Sequence, residues 1–334
     1  MAVRSSGRLT FSEIASEFGD TAPHRMSEFV RGGSRVPNAG PNSNIPTAIN
    51  SGRMRFNHFF GAVNVIAYTA SNGTNLNAST AFGSSWTDNV PKELIIPSGV
   101  TIGSSSTGTA ALILPTGMGG TLTIKNSGSV QGAGGAVGAT GGDAILVQVS
   151  GITIENSGSI YAGGGGGGVG GAGGNGQSTS TSGALGSARR ISGSCTASCQ
   201  MTFGGDAFCS GSCVAWQKEE CSGNCNGWDC GTCKRYIYTN TTGGAGGAGG
   251  VGQGYSQSAA SGSAGASGGT NAGSGGTGGT GGAFGATGST GATGANGNVS
   301  NGSAGSAGGL AGYYVNGIGN VTFSVTGTVG GRTT

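Results

Sequence analysis

Glycine recurs at every third position through much of the second half of the chain. Gly276, Gly279, Gly282, Gly285, Gly288, Gly291, Gly294 and Gly297 keep that spacing unbroken, and shorter runs cover 132–141, 164–176 and 243–252. A period of three matches the polyproline II helix, with three residues per turn and a rise of about 3.1 Å. Such a helix has no internal hydrogen bonds, so its N–H and C=O groups must find partners on neighbouring segments. An edge without side chains lets those neighbours approach. The expectation is a packed bundle of antiparallel and parallel glycine helices, rigid and poor in side chains, with turns that vary freely.

Two other readings of the same glycine are set against this one. Collagen needs Pro or hydroxyproline at roughly 15–20%; all seven prolines here lie at or before Pro115. A flexible Gly/Ser linker is the plainer alternative, and the strict period argues against it. Composition narrows the function classes. Glycine supplies 78 of 334 residues, charged residues only 8% and aromatics 6%, with a net charge of +3. No run of about 20 apolar residues exists to span a membrane. No basic cluster exceeds Arg189-Arg190 or Lys234-Arg235, so nucleic acid is not an expected partner.

The front of the chain is conventional and contains an echo: Ser6-Gly-Arg-Leu-Thr-Phe11-Ser-Glu-Ile14 returns as Ser51-Gly-Arg-Met-Arg-Phe56-Asn-His-Phe59. Thr10 with Glu13 makes a capping box for a short helix, and Gly19 can end it. A second helix is expected from Pro23 to Arg31, with Met26, Phe29 and Val30 on one face. His58 takes the place of Glu13 in the echo, which suggests a structural or surface role. Met1-Ala-Val-Arg4 runs into polar residues rather than an apolar stretch, so no secretion signal is expected. So small a core is marginal alone. Residues 1–62 therefore read as a docking module, with Phe11, Ile14, Phe18, Phe29, Phe56, Phe59 and Phe60 as its docking residues.

Residues 63–130 read as a β-rich domain, with short β-branched runs at 93–102, 110–114 and 121–124. Leu122-Thr-Ile-Lys-Asn-Ser-Gly-Ser-Val130 reappears as Ile152-Thr-Ile-Glu-Asn-Ser-Gly-Ser-Ile160, and more weakly as Val321-Thr-Phe-Ser-Val-Thr-Gly-Thr-Val329. Each copy is a strand, an Asn/Ser/Gly turn and a second strand, a unit that buries little alone and stacks well. The remaining divisions are a glycine-rich repeat region at 131–190, a cysteine-rich insertion at 191–236, and a glycine-rich polyproline-II region with C-terminal strands at 237–334. The fold class is mainly β and irregular, with a small helical N-terminal anchor, short strand repeats, a glycine-helix bundle and a cysteine-stapled insertion.

All eight cysteines fall in that insertion, as the close pairs Cys195/Cys199, Cys209/Cys213, Cys221/Cys225 and Cys230/Cys233. A segment this poor in apolar residues needs staples. Disulfides are the first reading, with 105 connectivities open. Zinc at the cysteine cluster is the rival, weakened because only Cys230/Cys233 has the two-residue gap of zinc ribbons; otherwise no cofactor is expected. Trp216, Trp228, Tyr236 and Tyr238 are read first as the miniature core of the insertion and second as receptor contacts. Lys218, Glu219, Glu220, Asp229 and Arg235 read as a solvated face.

Catalysis has little material. His24 and His58 are the only histidines, the 12 carboxylates are scattered, and Arg332 is the only charged side chain beyond Arg235. No enzyme is expected.

The element Ile152-Thr-Ile-Glu-Asn-Ser-Gly-Ser-Ile-Tyr-Ala-Gly-Gly-Gly-Gly-Gly-Gly168 resembles glycine-rich tail-fibre and tip-adhesin proteins of tailed bacteriophages, and the ending at 315–331 is similar to C-termini found there. The segments 9–19 and 53–61 resemble phage structural segments that precede variable fibre regions. The resemblance covers about two thirds of the chain, leaves the cysteine insertion unmatched, and implies a virion tail component made in the host cytoplasm. The front module would bind other tail or fibre proteins, the body would be a homotrimer, and the turns and insertion would face a host receptor, carbohydrate or outer-membrane protein. A purely structural tail or baseplate part is the alternative within this class. An ice-binding or matrix protein is the alternative outside it, with Thr277, Thr280, Thr287, Thr290 and Thr293 as a flat threonine face.

Overall fold

The computed structural model describes residues 3–21, 23–33, 35–38, 40–49, 54–185, 199–201, 207–209, 215–221 and 233–333. Helix α1 (Phe11–Glu17) starts at the expected box: the Glu13 N–H donates to Thr10 Oγ1 at 3.3 Å, and the Thr10 N–H donates to Glu13 Oε2 at 2.8 Å. Gly19, at φ +65°, follows its end. The second helix expected from Pro23 to Arg31 shrinks to one 3-10 turn, Met26–Phe29, because Arg25 supplies no side-chain cap and Val30 is already extended. The echo folds as a second such turn, Phe56–Phe59, where His58 Nδ1 accepts the Arg55 N–H at 3.3 Å, as Glu13 does for Thr10.

These turns converge on one aromatic core. Phe29 lies within 5.2 Å of Phe11, 6.2 Å of Phe18 and 6.4 Å of Phe59 between ring centroids, all edge-on. Ile14, Val36 and Ile45 complete it. Asn42, fully buried, exchanges two 2.9 Å bonds with the Val63 main chain and ties this module to the coils beyond it.

Residues 66–161 and 313–333 then wind as five coils, each of three short strands. The first coil is β1 (Ile66–Thr69), β2 (Gly73–Thr74) and β3 (Leu76–Asn77). A short helix, α2 (Ala78–Phe82), leads to β4 (Lys92–Ile96), β5 (Thr101–Gly103) and β6 (Leu112–Leu114). The third coil is β7 (Leu122–Asn126), β8 (Ser129–Gln131) and β9 (Ile145–Val147), and the fourth begins with β10 (Ile152–Asn156) and β11 (Ser159–Tyr161). There the chain departs. It builds β12 (Gly176–Leu185), β13 (Cys199–Met201), β14 (Ala207–Cys209), β15 (Ala215–Cys221) and β16 (Cys233–Thr241), then a glycine bundle. It returns to close the fourth coil with β17 (Tyr313–Asn316) and finishes on β18 (Val321–Val325), β19 (Thr328–Gly330) and β20 (Arg332–Thr333). Like strands stack in three parallel sheets, β1-β4-β7-β10-β18, β2-β5-β8-β11-β19 and β3-β6-β9-β17-β20.

The three sequence repeats lie directly on one another: Ile152 pairs with Leu122 on one side and Val321 on the other. Alternation sets Leu94, Ile96, Leu122, Ile124, Ile152 and Ile154 inside, all buried. At the corner after the first strand the repeat places buried asparagines. Asn126 Nδ2 donates to Asn156 Oδ1 at 2.8 Å, and Asn156 Nδ2 donates to Thr326 O at 2.6 Å and Thr328 O at 3.2 Å. The third coil thus bonds the fourth, and the fourth the fifth, where the backbone turns.

The glycine segments prolong the second sheet. Beyond β8 and β11, the Gly132, Gly135 and Gly138 N–H groups donate to Tyr161, Gly164 and Gly167. The segment 162–176 becomes the hub. Its Gly164, Gly167, Gly170 and Gly173 donate to Gln253, Gly250, Gly247 and Gly244, which run the opposite way, at 2.7–2.8 Å. Gly165, Gly168, Gly171 and Gly174 donate to Ala286, Ser289, Ala292 and Ala295, which run the same way. Segments 271–283 and 300–312 donate back to the hub every third residue, and 257–269 lies against 243–254 and 271–283. Near the coils the hub is walled on every side: a Cβ at Gly163 would meet Ala133 O, at Gly164 Gly282 O, at Gly165 Gly309 O, and at Gly166 Ala136 O. Past the turn at Gly138 one wall ends, and Val169, Ala172 and Asn175 take the third phase, exposed.

Candidate functional site

The bundle has two ends of different character. At the near end its turns are pressed onto the coils. Tyr255 occupies the space a Cβ on Gly103 would need, and Phe284 stacks on Tyr161 with centroids 5.4 Å apart and planes 17° from parallel. Arg332 sits with its guanidinium carbon 4.1 Å from the Tyr313 ring centre and donates through Nε to Ala311 O at 2.5 Å.

Three connections meet at the far end: the base of the insertion at Gly176 and Thr241, the turn at 269–271, and the turn at 297–300. Their amides knit together. Gln177 N–H donates to Asn298 Oδ1 at 2.8 Å, Asn271 Nδ2 and Asn298 Nδ2 donate to Gln177 O at 3.0 and 2.9 Å, and Gln177 Nε2 donates to Asn240 Oδ1 at 2.9 Å. Thr241 Oγ1 donates to Thr270 O at 2.6 Å. Asn271 holds φ +61°, a left-handed turn that asparagine tolerates. Val299, 58% exposed, is the most exposed large apolar side chain among the described residues. Among the described residues these turns and the base of the insertion carry no charged side chain and are rich in amides and hydroxyls.

From this tip β12 and β16 run outward as an antiparallel pair, joined by β15, with Trp216 in register with Tyr238 and Lys218 with Tyr236. Trp228, Cys195, Cys213, Cys225 and Cys230 lie outside the described residues. Cys199 and Cys209 are register partners in β13 and β14, and Cys221 and Cys233 in β15 and β16.

Of the expected docking residues, Ile14, Phe18, Phe29 and Phe59 form the buried core of their own module. Phe11 packs against that core, Phe60 is half-buried, and Phe56 is exposed. Sequence reasoning missed the near-end joint. Its signal was present: Tyr255 and Phe284 are the only aromatics between Tyr238 and Tyr313.

An open hollow between the third-to-fifth-coil corners is lined by Thr121, Ser150, Gly151, Ile152, Thr153, Gly319, Asn320, Val321 and Thr322, none ionisable. Among the described residues no three His, Cys, Asp or Glu side chains gather as metal ligands, and no helix is long and apolar enough to cross a membrane.

The family model for phage tail fibre adhesin Gp38 matches residues 63–232, half of the chain. The chain belongs to the Gp38 family of phage tail fibre adhesins. It is a receptor-binding component of the virion tail. The match runs from the first coil of the adhesin through the hub and into the cysteine-rich insertion. No curated protein matches. Among solved structures the chain is similar to the gp37–gp38 adhesin tip complex of the bacteriophage S16 long tail fibre, at 17% identity and a TM-score of 0.42 over 99% of each chain. Membership sets aside the ice-binding and purely structural alternatives; the threonines at 277, 280, 287, 290 and 293 are exposed on the bundle of an adhesin.

Proposed function

We propose that this adhesin meets its host receptor through the far end of the glycine bundle, namely the insertion together with the turns at 269–271 and 297–300. The observation that carries this reading is the contrast between the ends: aromatic anchors cover the near turns, while the far turns bond to the base of the insertion with Val299 exposed. In this reading residues 1–62 attach the adhesin to other fibre proteins, with Phe56 as the exposed contact, and the coils are the rigid spacer. The period-three bonding supports polyproline II geometry for the glycine segments. The cysteine insertion is stapled by disulfides, with Trp216, Trp228, Tyr236 and Tyr238 supplying its core and contacts. The role is non-catalytic, in keeping with the scarcity of ionisable groups on the bundle. Homotrimer assembly, expected from the resemblance, is checked by sedimentation of the full chain.

Adsorption tests the reading. Virions carrying Val299→Asp, or with residues 183–234 replaced by a short turn, should assemble normally and lose most of their adsorption. Lys125→Ala on the coils should leave adsorption unchanged. Full adsorption by both tip variants would refute it. Competition with purified surface glycan or outer-membrane protein then identifies the receptor class.

A further inference from the structure

Eight cysteines leave 105 pairings open by sequence, but the strand register reduces them. In the antiparallel pair β13–β14 the partners are Cys199 with Cys209, Gln200 with Phe208 and Met201 with Ala207. In β15–β16 a seven-pair ladder ends on Cys221 with Cys233. Four cysteines thus fall opposite one another, twice, in two separate ladders. Residues directly opposite in an antiparallel pair share a face, with Cα atoms about 4.5–5.5 Å apart. That lies inside the window of about 4.4–6.8 Å that a disulfide requires. Zinc asks for something different, four ligands converging on one point; these ladders bring cysteines together two at a time.

We propose that Cys199 bonds Cys209 and Cys221 bonds Cys233, so that each hairpin of the insertion carries its own cross-strand disulfide. The inference rests on the disulfide reading of the insertion and adds its connectivity. Only 3 pairings then remain for the other four cysteines. The chemistry is thiol–disulfide exchange with a low-molecular-weight disulfide such as oxidised glutathione, met when the particle leaves the reducing cytoplasm. One thiolate attacks the oxidant and expels its first thiolate. The opposing cysteine, deprotonated, attacks the mixed disulfide and expels the second. Two protons leave the protein, and the oxidant gains two electrons. A hairpin closed in this way holds its strands in register without a hydrophobic core, which is what a displayed, core-poor insertion needs.

The test is peptide mapping of the full chain in assembled particles. Free thiols are alkylated under denaturing acidic conditions and the digest is analysed unreduced by mass spectrometry. The expected result is a peptide containing Cys199 linked to one containing Cys209, a second link from Cys221 to Cys233, and no alkylation at these four. Reduced protein reoxidised with oxidised glutathione should give the same two links. Alkylation of all four would overturn the disulfide reading and the pairing with it. Links in any other combination, such as Cys199 to Cys221, would overturn the pairing alone. The double variant C199S/C209S should keep the Cys221–Cys233 link and expose no new thiol; loss of that link would show that the hairpins are not closed independently.

Discussion

Lys92 shows how one residue can hold a corner of the coils together. Its side chain is 1% exposed, and its ammonium donates to Asp88 O and Gly119 O at 2.7 Å and to Val90 O at 3.2 Å. Lys92→Met would leave three carbonyls without that donor, and a loss of about 3 kcal/mol is expected, read as a lower urea midpoint at constant slope. Burial lowers its pKa from 10.5, opposed by the charge of Asp88. The unfolded chain therefore holds the proton more tightly, and as pH rises from the lowered pKa toward 10.5 this group makes stability rise. The difference in unfolding free energy between wild type and Lys92→Met should grow with pH in that window. Lys125 behaves oppositely: its bond to Glu93, 2.6 Å, raises its pKa, so its contribution is present below 10.5 and fades as pH climbs through the raised value. Both of its groups face solvent, so that contribution is a few tenths of a kcal/mol. None of this is legible in Pro91-Lys-Glu. The lysine is buried where the Gly119 carbonyl, 27 residues away, meets those of nearby Asp88 and Val90, and sequence spacing does not encode that convergence.

Among elements, those whose stabilising partners sit nearby in sequence are readable and those with distant partners are not. The capping box of α1 needed only Thr10 and Glu13. The 30-residue repeat named its own neighbours, because a stacked coil reuses the same inward positions and the same corner asparagine. The expected helix at 23–31 failed because its pattern had an apolar face but no capping side chain. The bundle permits a sharper test of close approach. A Cβ at Gly167 would strike Gly279 O and the carbonyl carbon behind it, main chain that cannot rotate away. Gly167→Ala should cost about 3 kcal/mol or more. Gly319→Ala is the control, since nothing lies within 4 Å of its Cβ position and its φ is not left-handed; its effect should stay within about 0.5 kcal/mol. Thermal unfolding of the two variants side by side reads the difference. Asn156→Ala removes the donor shared by Thr326 O and Thr328 O, and should cost about 2–3 kcal/mol while loosening the last coil first. Amide exchange in β18 and β19 would show it.

For the whole molecule, the decisive topological fact is that β11 and β17 belong to one coil although the entire bundle and insertion lie between them. The weak third repeat at 321–329 was the only sequence trace of that return. No local pattern links Tyr161 to Tyr313, so the glycine regions read as successive domains rather than as one excursion from a corner. An excursion is anchored at both feet, which leaves its angle to the coils set by the contacts at its base. Those contacts include Tyr255 over Gly103, Phe284 on Tyr161 and Arg332 Nε on Ala311 O, beside the main-chain bonds of Tyr255 N–H to Gly132 O and Gly285 N–H to Ala162 O. The Phe284–Tyr161 pair is worth about 0.5–1.5 kcal/mol beyond the area it buries. Tyr255→Ala with Phe284→Ala therefore removes the plugs without touching the hydrogen-bonded glycine lattice. Both halves should stay folded, with the coil and bundle amides protected as before, while exchange accelerates at 254–257, 283–286 and 328–333. Adsorption of virions carrying the double variant should fall several-fold at unchanged adhesin content, because the tip proposed as the receptor contact, held less firmly at its base, must lose the added freedom on binding. Unchanged adsorption alongside accelerated exchange would mean that a rigid base is not what presents the tip.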